Sequence, residues 1–142
     1  MNPFTAFDHV QLAMPAGEEA RARAFYADLC GMTELPKPAD LAARGGAWFA
    51  SGALQLHLGV DSHFVPATKA HVALRCADYN GLVARLEAAG HAVTIAGTFD
   101  DGALHAYVAD PFGNRLELVA NPALSRARRP PRLRWICACC SA

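Results

Sequence analysis

Polar and apolar residues alternate from Phe7 to Ala13, which predicts a strand with one face buried. Pro15-Ala16-Gly17 breaks it. From Glu18 to Cys30 the apolar residues Ala22, Phe25, Tyr26 and Leu29 recur at helical spacing, and Gly31 is placed to end that helix. Residues 32–44 contain Pro36 and Pro38 and predict an irregular strand and loop. Two short strands are expected at 47–50 and 54–58, around a Ser51-Gly52 turn. Asp61 to Lys69, with Pro66, forms a linker. The pattern then restarts with a strand at 70–76 and a helix that Asp78 caps, running to Ala89 before Gly90. A short strand at 91–95, a polar loop at 99–103, and strands at 105–109 and 114–119 complete it. Asp110-Pro111-Phe112-Gly113-Asn114 is the turn between the last two.

Each half therefore reads strand, helix, three strands, and matching positions keep a nearly constant offset. His9 to His71 is 62 residues and His57 to Glu117 is 60, the signature of a duplicated unit. Because residues two apart share a face of a strand, the polar positions sort together. His9 pairs with Gln11, Gln55 with His57, His71 with Ala73, Arg115 with Glu117, and His105 with Tyr107. The leucine-rich opposite faces are left to pack on the helices. Two neutral imidazoles and a carboxylate on one surface are a three-ligand set for a divalent ion, with positions open for water and substrate. A lone strand histidine is more often hydrogen-bonded or exposed. His63, His91 and His105 have no repeat partner and are read as structural or exposed.

Composition narrows the class of protein. The chain has 142 residues, 53% hydrophobic and 18% charged, enough for one domain with its own core. No apolar run approaches the ~18 residues of a membrane span, and no secretory signal opens the chain, so a cytoplasmic location is expected. The zero net charge hides an asymmetry. Residues up to Ala123 hold eight basic and thirteen acidic side chains, a net −5, and the five arginines after it give the tail +5. An acidic body argues against nucleic acid as a partner. Cys30 and Cys76 read as reduced core thiols. Cys137, Cys139 and Cys140 lie in a basic segment, 125–142, expected to be disordered, and they lack the second ligand pair of a zinc site.

Three segments carry a family resemblance: Asp8-His9-Val10-Gln11-Leu12, Ala24 to Met32, and Val108 to Leu118 with its Asp-Pro-x-Gly-Asn turn followed by Glu. Over residues 4–122 the chain resembles the vicinal oxygen chelate superfamily of glyoxalases, bleomycin-resistance proteins and dioxygenases. The resemblance implies an α+β fold of two βαβββ modules, 4–60 and 69–122, forming a curved mixed-sheet cup around a divalent ion. It places His9, His71 and Glu117 at the metal-ligand positions, with Zn, Ni, Mn and Fe all acceptable to such a set. It also implies a homodimer, with sites often built from both subunits.

Glyoxalase I carries a glutamate on the last strand of the first module. Here Gln55 and His57 are the candidates, and neither is a carboxylate. The loop after Thr98 lacks the lysine and serine of the fosfomycin-modifying transferases, and extradiol dioxygenases are mostly twice this length. The expectation is a metal-dependent lyase, isomerase or transferase acting on a small oxygen-rich molecule that chelates the ion through two oxygens. His57 is the acid–base candidate; Tyr107, Gln11 and Gln55 are the substrate-orienting ones. The alternative is a metal-free protein of the bleomycin-resistance type that sequesters a small molecule.

Overall fold

The computed structural model describes residues 2–121. The order of elements is β1 (Val10–Met14), α1 (Glu19–Ala22) continuing as a π-helix (Arg23–Leu29), β2 (Thr33–Leu35), α2 (Ala39–Ala42), β3 (Ala47–Ser51) and β4 (Leu54–Val60). The pattern then repeats with β5 (His71–Cys76), α3 (Tyr79–Ala88), β6 (Thr94–Thr98), β7 (Leu104–Ala109) and β8 (Arg115–Ala120). These strands form two four-stranded mixed sheets of the same topology, β1-β4-β3-β2 and β5-β8-β7-β6. In each, the first strand runs parallel to the last and the other pairs are antiparallel. This is the glyoxalase/bleomycin-resistance α+β architecture. The segment 125–142 lies outside the described residues.

The alternation in the sequence becomes two chemically different faces. Val10, Leu56 and Phe49 stand in one cross-strand row of the first sheet, and Leu12, Leu58 and Ala47 in the next. In the second sheet Val72, Leu116 and Val108 form a row, as do Leu74, Leu118 and Ala106. Both apolar faces join one core that includes Phe25 and Tyr26 of the π-helix and Leu86 of α3. Phe49, Leu56, Leu58 and Leu86 are fully buried, and burying each such side chain stabilises the fold by about 1.5–3 kcal/mol.

Four local features depart from the sequence reading. The helix expected over 18–30 is α-helical for one turn only. From Arg23 it widens, as the bond from the Cys30 amide to the Phe25 carbonyl, five residues back, records. A wider turn lets the consecutive residues Phe25 and Tyr26 both face the core. Gly31 then closes the helix at φ +75°. A short helix, α2, follows Pro38, whose carbonyl accepts from the amides of Leu41 and Ala42. The strand expected at 91–95 begins at Thr94 instead, because His91 still donates its amide to Leu86 of α3 and turns its ring edge-on to Phe25 at 4.9 Å. A bulge between Ile95 and Gly97 extends that strand to Thr98. His9 lies one residue ahead of β1.

Gly46 is the backbone hinge into β3. It sits at φ +80°, and a Cβ there would fall on the Leu58 carbonyl oxygen of the neighbouring strand. Its amide donates to Glu19 Oε1 at 2.7 Å, tying α1 to the sheet. Gly46→Ala combines a strained backbone with a clash that no rotamer relieves. It is expected to destabilise the fold by about 2–4 kcal/mol in a urea titration.

Candidate metal and substrate site

The polar faces of the two sheets hold the candidate residues, and strand register aligns them. Gln11 stands opposite His57, and His57 opposite Trp48. Ala73 stands opposite Glu117, and Glu117 opposite Tyr107. With the repeat offset applied, His57 holds in the first sheet the position that Glu117 holds in the second. Gln55 matches Arg115.

The second sheet gathers a carboxylate and two imidazoles. Glu117 is 94% buried; its Oε2 lies 3.0 Å from His71 Nε2 and its Oε1 2.7 Å from His105 Nδ1. Burial raises the Glu117 pKa, but hydrogen bonds from His105, His71 and Tyr107 outweigh it and hold the carboxyl below its usual value. His71 Nδ1 lies 3.0 Å from the Lys69 carbonyl oxygen. Both ring nitrogens of His71 therefore face oxygen acceptors. An imidazole so placed either carries a second proton or donates Nδ1–H to the carbonyl and offers its Nε2 lone pair to a cation. A ligating histidine is commonly held in the second way, its other nitrogen bonded to a carbonyl. The donor set thus fits a divalent ion. Among the described residues no three His, Cys, Asp or Glu side chains converge as a complete metal-holding group.

The first sheet carries a stack of three rings. His57 lies between His9, at 4.2 Å and 17°, and Trp48, at 4.2 Å and 8°. His9 Nδ1 is 2.7 Å from Asp8 Oδ1. His57 Nε2 approaches Gln55 Oε1 at 3.4 Å. Burial, with the neighbouring His9 charge, lowers the His57 pKa below the usual imidazole value and favours the neutral ring. Lys37 lies 5.9 Å from the Trp48 ring.

The structure brings His71 to Glu117, and His9 to His57, on separate sheets. Tyr107 lies edge-on to His71 at 5.5 Å and to His105 at 5.9 Å, and Gln11 folds over Gly59. His63 is exposed beside Ser62, as expected of a histidine without a repeat partner. His105 takes the structural half of that reading, with a partner the pattern did not name: it is part-buried, bonded to Glu117 and stacked on Phe99 at 4.1 Å. Its position two residues before Tyr107 on a polar face was the available signal. Trp48 was also missed; its place between the inward-facing Ala47 and Phe49 marks it as a residue of the polar face.

Two parallel-and-antiparallel sheets of one topology, with histidines and a glutamate on their polar faces, define a vicinal-oxygen-chelate-type scaffold. The glyoxalase-like domain family matches residues 11–119, and the chain belongs to that family. A putative glyoxalase family protein from Bacillus anthracis is 41% identical, with a TM-score of 0.80 over 85% of this chain and 98% of that one. A lactoylglutathione lyase from Agrobacterium tumefaciens shares the fold at 22% identity and a TM-score of 0.61, covering 84% of this chain and 96% of that one. So does a bleomycin-binding protein, solved with bleomycin, at 18% identity and 0.61, covering 82% and 99%. No curated protein matches the chain. None of the helices among the described residues is long and apolar enough to cross a membrane.

Proposed function

We propose that the chain is a metal-dependent enzyme acting on a small molecule with two neighbouring oxygens, as a lyase, isomerase or transferase. The observation that carries this is His71, whose nitrogens face the Lys69 carbonyl and the Glu117 carboxylate. His71 and Glu117 supply two ligands, and His9 supplies a third from a second copy of the chain in a homodimer. His9 lies one residue ahead of β1, against His57 of the other sheet, and no complete ligand group forms among the described residues of one chain. A divalent ion bound by these residues would supply Lewis acidity toward the substrate oxygens.

The remaining work falls to this chain's own side chains. His57, whose burial favours the neutral ring, lies against His9, so it is placed to accept a proton from bound substrate. Trp48 covers its other face and fixes the ring. Tyr107 and Gln11 orient the substrate, and Gln55 sets the direction of His57 Nε2.

The test is metal content of the purified protein, followed by titration of Mn, Ni and Zn into stripped protein. About one ion per subunit is the stoichiometry this three-ligand set predicts. No binding by any of the three would contradict the proposal and favour a metal-free sequestering protein.

A further inference from the structure

β1 and β5 are edge strands of the two sheets, and residues of both, with the linker between them, line a cleft of about 280 Å³. Gln11, His71 and Arg115 supply polar groups to its lining, and Val10, Phe64 and Val65 supply apolar ones. Arg115 is half-buried, and its guanidinium lies over the Tyr107 ring at 3.8 Å. Among the described residues no hydrogen bond engages the N–H groups of this fork. Glu117, the carboxylate on its own strand and face, is engaged by His71 and His105. Among the described residues no ion pair involves Arg115. A part-buried, pre-oriented guanidinium with no acidic partner, beside a candidate ligand histidine, calls for an anion from the substrate.

We infer that this cleft is a specificity pocket for a carboxylate carried by the substrate, with Arg115 as the residue that reads it. The inference rests on the chelation reading above and names the substrate class for that site: small organic acids whose chelating oxygens lie a few bonds from a carboxylate. Three features favour this chemistry. A planar guanidinium pairs with a carboxylate through two parallel hydrogen bonds. Among the described residues Arg115 is the one Lys or Arg in the lining, which suits a monoanion better than a phosphate dianion. The volume is just under the ~300–1,000 Å³ of pockets that hold drug-sized ligands, so a short acid fits.

The experiment compares two hydroxamates on Mn-loaded full-length protein by calorimetry. Acetohydroxamate presents two neighbouring oxygens alone; succinate monohydroxamate adds a carboxylate two methylenes away. The wild type is expected to bind the carboxylated probe about tenfold more tightly, the value of one charge-assisted hydrogen-bonded contact. Arg115→Gln should abolish that preference, read as the ratio of the two affinities within each protein. Arg115→Lys, which keeps the charge and most of the stem, should retain part of it. Equal binding of both probes by the wild type, or a preference that survives in Arg115→Gln, overturns the inference. Acetohydroxamate binding that is absent, or the same in stripped protein, overturns the chelation reading instead. A preference for the carboxylated probe that persists without metal and falls in Arg115→Gln would leave the pocket standing on its own.

Discussion

Glu117→Gln is expected to weaken divalent-ion binding by about 100-fold or more, while the protein still folds. Among the described residues the carboxylate is the only acidic group placed between His71 and His105, at 3.0 and 2.7 Å. An amide of the same shape keeps one carbonyl acceptor but loses the charge that offsets a cation, and it turns an NH2 toward one of the imidazoles. His57→Gln separates ligation from catalysis. It removes the proposed base and leaves His9, His71 and Glu117 in place, so metal content should stay near wild type while turnover falls by about 10²–10⁴. Metal titration of both variants, monitored by calorimetry, reads the difference. Loss of metal by His57→Gln and retention by Glu117→Gln would reverse the assigned roles.

The second large effect is on stability. Asp110→Ala is expected to destabilise the fold by about 3–5 kcal/mol, because one buried carboxylate satisfies four donors. Its Oδ1 accepts the amides of Phe112 at 2.9 Å and Asn114 at 2.8 Å; its Oδ2 accepts the Tyr26 hydroxyl and Asn114 Nδ2, each at 2.8 Å. Asn114 Nδ2 also reaches the Ala13 carbonyl of β1 at 2.8 Å. The turn therefore pins the π-helix and the first sheet to the second. Burial, reinforced by the Asp110 charge and hydrogen bond, pushes the Tyr26 hydroxyl pKa well up, so it remains a donor. Asp110→Ala strands these donors in a site that is 96% buried. Tyr26→Phe removes one donor together with its bond and should cost about 1 kcal/mol. Urea midpoints of the two variants test this; equal midpoints would mean the turn carries no such weight.

Much of this molecule was legible from strand alternation. Leu54, Leu56 and Leu58 against Gln55 and His57 sort the two faces without any structure, and the 60- and 62-residue offsets sort the two halves. The Asp110–Asn114 segment announced a turn, but its reach to Tyr26 and Ala13 did not follow, since those contacts span 84 and 101 residues. The π-helical turn was hidden because Ala22, Phe25, Tyr26 and Leu29 fit an ordinary helix equally well. Trp48 and His105 were missed for a common reason. Each owes its role to a cross-strand neighbour, His57 or Glu117, that only the register identifies. Nor does the pattern of faces say that His9 and the His71–Glu117 pair stand on separate sheets without closing into one group.

That separation makes a shared site the central claim, and mixing two defective chains tests it most directly. His9→Ala and His71→Ala each remove one ligand from every site of a pure dimer, so each variant alone should fail to hold metal. Dissociated and reassembled together, they should form mixed dimers in which one of the two sites is defective in both ligands and the other is intact. Recovery of metal binding on mixing, approaching one ion per mixed dimer, is the result the account predicts. Mixtures that bind no more metal than either variant alone, although mixed dimers form, would contradict it.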